Sequence, residues 1–155
     1  MNKLSKLFLI IVGCELVGLL GAIFTFSSIP TWYATLNKPI FAPPNYVFGP
    51  IWTTLYLLMG IAFFIIWEYK GKVSTKKAKY YFYIQLILNF VWSPAFFGLK
   101  SLALGLVIIV PMLFFIYKTI REFEKINKLA AFLMTPYLAW VSVATILNFA
   151  VLILN

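Results

Sequence analysis

Apolar residues run almost unbroken through five stretches of the chain, at about 7–26, 47–67, 80–99, 102–117 and 129–154. A helix that crosses a bilayer needs about 20 mainly apolar residues, so each stretch predicts a spanning helix. The fourth is the shortest and reaches that length by running past Lys118, since a lysine near a helix end can snorkel. Polar positions inside these runs are few and regularly spaced. In the third run Gln85, Asn89 and Trp92 follow at i, i+4 and i+7, which places them on one helical face. In the fifth, Tyr137, Trp140, Ala144 and Asn148 follow at i, i+3, i+7 and i+11, again one face.

Two readings of these stripes stand side by side. Amides in hydrocarbon need partners, so Gln85 and Asn89 serve either as interhelical hydrogen-bonding groups or as the few polar groups of an apolar cavity. Small Ala144, one turn from Trp140, leaves room either for a flat guest beside the indole or for a neighbouring helix. Pro94 should kink the third helix near its end, with Ser93 placed to satisfy the carbonyls this frees. The fourth run, with Gly105 and Pro111, predicts wall and lipid-facing surface, and its polar tail KTIREFEKINK predicts a solvated amphipathic connector.

Between the first two runs lies WYATLNKPIFAPPNYVFGPIWTTLY, from Trp32 to Tyr56, with four prolines, two tryptophans and a single charge, Lys38. Proline fixes its own φ and restricts the residue before it, so Lys38-Pro39 and Ala42-Pro43-Pro44 confine this segment to few conformations. It predicts a stiff aromatic cap over the bundle, of the kind that closes a ligand site. Its aromatics also suit interfacial anchoring, a common use of Trp and Tyr.

Composition adds the class. With 63% hydrophobic residues, 11% charged and a mean hydropathy of +0.96, the chain is far from a soluble domain, and it has no long polar segment to form a second one. The expectation is an all-α integral membrane protein, one domain over residues 1–155. Its fold would be a bundle of five transmembrane helices with a structured Pro/Trp-rich loop between the first two. The first run is too long for a signal sequence and lacks a small-x-small cleavage site, so it reads as a retained helix.

The net charge of +9 arises from 13 Lys and Arg against four Glu. These cations lie between apolar runs, with no polar fold to present them to nucleic acid, so they read as topology signals and contacts with anionic headgroups. Lys3, Lys6, Lys70, Lys72, Lys76, Lys77, Lys79, Lys118, Arg121, Lys125 and Lys128 fall on one side, Lys38 and Lys100 on the other. That asymmetry predicts a cytoplasmic N-terminus, an outward-facing cap and C-terminus, and residence in a cytoplasmic membrane.

Histidine is absent and Cys14 is the single cysteine, which removes zinc sites, His-ligated haem and Ser-His-Asp catalysis. Cys14, Gly18 and Ala22 form a small-xxx-small face suited to close helix packing within one chain or between two. Glu15 is an ionisable group within a membrane helix, and its cost directs it to the bundle interior. It is a candidate functional residue.

The segments WYATLNKPIFAPP, VFGPIWTTLYLLMGIA, QLILNFVWSPAFFG and PYLAWVSVATILNF, in this order and across essentially the whole chain, resemble the TspO/MBR family. These are the tryptophan-rich sensory proteins, translocator proteins and peripheral-type benzodiazepine receptors. The resemblance implies a five-helix bundle, commonly a homodimer, with an interhelical pocket closed by the first loop. It implies porphyrin or haem as ligand, alongside other flat hydrophobic molecules such as isoquinoline carboxamides, and no required cofactor. Matched motif by motif, the pocket takes Tyr33 and Pro43 from the cap and Phe48, Trp52 and Tyr56 from the second helix. Asn89 and Trp92 come from the third, and Trp140 and Ala144 from the fifth. Two departures stand out. Phe41 occupies KPIFAPP where the family often has Trp, and ATILNFAVLILN lacks the Tyr and basic residue of the animal sterol-recognition segment, so sterol binding through it is not expected.

Three functions fit this reading. One is a receptor or carrier that binds a tetrapyrrole by aromatic stacking, with Lys38 available to a propionate. A second is light- and oxygen-dependent porphyrin degradation with Trp52 and Trp140 as redox partners, although no metal, nucleophile or acid–base pair is offered. A third is facilitated movement of lipids or small hydrophobic molecules, without the internal repeat of alternating-access transporters.

Overall fold

The computed structural model describes residues 2–155, which form five α-helices and no strand. Helix α1 spans Lys3–Ser28, α2 Phe48–Trp67, α3 Lys76–Ser93, α4 Leu102–Ile126 and α5 Lys128–Leu154. Four of them, counted with their flanking turns as Lys3–Tyr33, Asn45–Trp67, Leu102–Ile126 and Lys128–Leu154, are long and apolar enough to cross a membrane. By composition α3 differs, because it opens on Lys76, Lys77 and Lys79 and carries Gln85 and Asn89. Both amides are buried within the protein.

Packing partners define a ring in the order α1, α2, α5, α4, α3 and back to α1, so the backbones of the sequence neighbours α2 and α3 stand apart and the two helices meet only through side chains that reach across. At one end of the ring the core is dense. Met59, Ala62 and Ile66 of α2 meet Phe82 of α3, Ile116 and Phe123 of α4 and Met134 of α5, all essentially inaccessible. Phe82 stacks between Phe63 (centroids 4.1 Å apart) and Phe123 (6.1 Å). Helices α1 and α2 converge at this end, where a Cβ on Gly60 would lie 2.9 Å from the Cα of Ile11. Such an approach requires a residue without a side chain.

Lys6 at the start of α1 reaches Glu68, which caps α2, at 2.9 Å. That hydrogen bond, reinforced by the positive charges of Lys6, Lys3 and Lys70, holds the Glu68 carboxyl below its usual range. A carboxylate whose folded value is depressed stabilises the fold above its unfolded value, about 4.3 for Glu, and loses that contribution as pH falls through the lower folded value. Stability in detergent should therefore drop less steeply on acidification below about pH 4.3 in Glu68→Gln than in the native chain. Parallel acid titrations of the two would show no difference if the pair contributed nothing.

The prolines shape the opposite end. After Ser28, Pro30 supplies no N–H to the helical ladder, and the chain widens into a π-helical turn, Ile29–Tyr33. Pro94 does the same after α3, giving a second wide turn, Pro94–Gly98, closed by Leu99 N–H to the Pro94 carbonyl at 2.8 Å. The two turns pack together, with Tyr33 against Phe96 and Phe97 and Trp32 edge-on to Phe96. Ser93 does not serve the carbonyls freed by Pro94. It donates across to the carbonyl of Gly21 on α1 (2.6 Å) and meets the Thr25 hydroxyl (2.9 Å).

Helix α4 continues well beyond the apolar run, through the segment expected to be a connector. Thr119, Ile120 and Phe123 are buried, and the outer face carries Arg121–Glu124 and Lys125–Glu122 pairs. Only Asn127 separates α4 from α5. Its N–H bonds to the Phe123 carbonyl (2.7 Å), closing one helix, and its side chain accepts from Ala130 N–H (3.1 Å), opening the next.

Candidate functional site

Above the dense end the helices separate around a cavity of about 400 Å³. Helix α1 contributes a stripe of four turns that includes Glu15, Gly18, Ala22, Thr25 and Phe26. Facing it are Phe48, Trp52, Thr53 and Tyr56 of α2, Asn89, Trp92 and Ser93 of α3, and Trp140 and Ala144 of α5. Asn45 and Tyr46, in the single 3₁₀ turn Asn45–Val47 that leads into α2, form its rim. The bordering residues Leu19, Phe26, Tyr46 and Thr53 are exposed, so the cavity opens between α1 and α2, away from the point where those helices converge.

Its floor is a hydrogen-bonded chain. The Tyr56 hydroxyl donates to the Asn89 side-chain oxygen, and the Asn89 amide donates to the Tyr137 hydroxyl at 2.6 Å. The amide thereby fixes two phenol rings. Trp52 lies over this floor, 5.7 Å from the Tyr56 ring and 6.2 Å from that of Tyr137. Gly18 admits the Tyr56 ring, since any Cβ there would overlap it. This uses part of the Cys14-Gly18-Ala22 face inside the molecule, and Cys14 itself is buried. On the far wall Phe48 meets Trp140 edge-on at 5.9 Å. The indole N–H groups of Trp92 and Trp140 are buried without an acceptor among the described residues.

Of the nine residues expected from the sequence, Phe48, Trp52, Tyr56, Asn89, Trp92, Trp140 and Ala144 border this cavity. Tyr33 does not. It borders a much smaller void of about 30 Å³, walled also by Phe96, Phe97 and Leu147, which shares Phe48, Trp92 and Ala144 with the larger one. Pro43 borders neither void. Gln85 shares a stripe with Asn89 but lies one turn deeper, within the core, where its amide donates to the Met59 sulfur at 3.5 Å. Lys38 is turned back on the cap, donating to the Leu36 carbonyl (3.1 Å) and lying 4.8 Å from the Tyr33 ring centre. Thr25, Thr53, Ser93, Asn45 and Tyr46 were not foreseen as lining. The small residues on α1 were the available signal, because a helix face of Gly and Ala leaves space wherever its partner diverges. Among the described residues no group of three or more His, Cys, Asp or Glu could hold a metal ion.

These features define a helical membrane protein with an aromatic cavity between its helices. Comparison with known proteins is consistent with that class. The family model described as TspO/MBR matches residues 10–154. The chain is 43% identical to the tryptophan-rich protein TspO of Archaeoglobus fulgidus over 153 residues, covering 99% of each. It is 41% identical to the protein of that name from Chlorobaculum tepidum, over all of this chain and 99% of the other. It is also 36% identical to the human translocator protein, over 90% of this chain and 82% of that one. The chain belongs to the TspO/MBR family and is an integral membrane protein in contact with lipid.

Proposed function

We propose that this protein is a membrane receptor or carrier that binds porphyrins or haem, and other flat hydrophobic molecules, in the cavity between α1, α2, α3 and α5. The observation that carries the reading is a cavity of about 400 Å³ walled by Phe48, Trp52, Tyr56, Trp92 and Trp140. Small-molecule sites commonly enclose roughly 300–1,000 Å³ and combine apolar walls with a few fixed polar groups. Aromatic faces suit a flat macrocycle. With no histidine in the chain, the macrocycle rather than a bound metal carries the affinity.

In the same reading all five helices span the bilayer, α3 with its amides turned inward and Ile87 and Phe90 outward, with the N-terminus cytoplasmic, the C-terminus outside and two copies forming a homodimer. Tyr33 and Pro43 act through the cap that closes the site. The opening between α1 and α2 lets hydrophobic ligands enter from the lipid.

The test is a protoporphyrin titration of the detergent-solubilised protein, read by porphyrin absorption in darkness and then under light, for the native chain and for Trp52→Ala, Trp140→Ala. Saturable binding is expected, weakened by roughly 1–3 kcal/mol in the double variant for two lost aromatic contacts. No saturable binding would remove the porphyrin reading. Because Trp52 and Trp140 both border the cavity, the light arm decides a second reading. Conversion of the ligand to a new chromophore, dependent on those indoles, would make the protein a porphyrin-degrading enzyme.

A further inference from the structure

Glu15 differs in kind from the aromatic walls of this cavity. The chain has four glutamates, and three are matched to cations: Glu68 to Lys6, Glu122 to Lys125 and Glu124 to Arg121. Glu15 makes no ion pair or side-chain hydrogen bond among the described residues. Lys6, which lies on the same helix, is engaged by Glu68, and Lys38, on the cap, is engaged by backbone carbonyls. Its place in the fold is unlike that of the others. It lies in the middle of α1, twelve residues from the helix start at Lys3, and borders the cavity beside Gly18 and Tyr56. No other acidic side chain borders the cavity, and no Lys or Arg does.

A carboxyl in such a position is costly in lipid unless a partner meets it. Coulombic attraction strengthens as the local dielectric falls, so a cation brought into this cavity would gain more from Glu15 than the same pair gains in water. A protonated amine also donates hydrogen bonds to both carboxyl oxygens, which a neutral hydroxyl does less strongly. The floor beside Glu15 offers little competition, because the polar atoms of Tyr56, Asn89 and Tyr137 are already bonded to one another.

We propose that Glu15 makes the inner end of the cavity selective for ligands bearing a cationic nitrogen, so that hydrophobic amines are preferred over their neutral counterparts. This rests on the reading of the cavity as a ligand site. The test compares 9-anthracenemethylammonium with 9-anthracenemethanol, a flat pair nearly equal in size, in a non-ionic detergent with binding to empty micelles subtracted. Energy transfer from tryptophan to anthracene reports occupancy. The native protein should bind the ammonium at least tenfold more tightly than the alcohol. Glu15→Gln should bring the two affinities within about twofold, chiefly by weakening that of the ammonium, and Glu15→Asp should retain a preference. Equal binding of both probes by the native protein would overturn the inference and leave the ligand site standing. A preference that persists in Glu15→Gln would assign it elsewhere and equally overturn the inference. Binding of neither probe would overturn the inference and count against the ligand site as well.

Discussion

Replacing Asn89 with leucine should destabilise the protein by about 2–3 kcal/mol, more than removal of either tyrosine hydroxyl that it holds. The amide accepts from Tyr56 and donates to Tyr137, and all three residues are buried. Leucine fills nearly the same space but leaves two phenol hydroxyls without partners. A buried polar group stripped of its partner costs roughly 1–3 kcal/mol, whereas removing both members of a pair can be nearly neutral. The lower part of the combined range applies, because interhelical hydrogen bonds measured in membranes are worth about 0.6 kcal/mol on average, the unfolded helices finding other partners in the bilayer. The asymmetry gives a sharp check. Unfolding in mixed micelles should show the triple variant Asn89→Leu, Tyr56→Phe, Tyr137→Phe to be more stable than Asn89→Leu alone. A triple variant that is weaker still would mean that the hydroxyls have other partners.

Phe82→Ala should cost about 2–3 kcal/mol by a different route. Its ring is 1% exposed and stacked between Phe63 and Phe123 at the dense end of the ring. In water the loss would include transfer of the ring out of solvent, but here the unfolded helices remain in lipid, which is nearly as apolar as the core. What is left is the void. Roughly 100 Å³ vacated at about 24 cal/mol per Å³ gives about 2.4 kcal/mol, if the neighbours do not collapse. Phe132 on α5 is 68% exposed, and its alanine variant should change stability by less than about 0.5 kcal/mol. Equal losses at the two positions, measured by the same unfolding assay, would mean that packing in the ring does not set stability.

Much of this fold is legible in the chain because lipid imposes a simple rule on sequence. Backbone polar groups must be satisfied within each segment, so an apolar run of sufficient length means a helix. Residues that break that rule are harder to read. Lys118, Arg121, Glu122, Glu124 and Lys125 made the end of α4 look like a connector, since a charged helical face and a solvated loop have the same composition. Ile120 and Phe123, buried on its inner face, decide for helix. Pro94 announces irregularity but not its form. Whether a missing N–H gives a kink or a widened turn depends on the neighbours, here the packing of Tyr33 on Phe96 and Phe97. Ser93 stands beside a proline, but the carbonyl it serves, that of Gly21, lies 72 residues away and is not legible from local spacing. The site was partly legible for a related reason. Helical spacing identifies a shared face, as for Gln85 and Asn89, but not the depth at which that face passes from cavity to core.

The ring order also carries a timetable. Helix α2 emerges from synthesis well before α5, against which it packs, and its apolar face can wait in lipid without penalty. The amide of Asn89 cannot wait so easily. When α3 arrives, Tyr56 is already 33 residues behind it and available, while Tyr137 is still 48 residues from being made. Chain order thus supplies Asn89 with a hydroxyl that donates to it, from Tyr56, as α3 joins the bundle, and with one that accepts from it, from Tyr137, as the α4–α5 hairpin, turning on Asn127, closes the circle. The floor of the cavity is complete only once α5 has docked, and a nascent chain halted before Tyr137 would hold Asn89 half-satisfied.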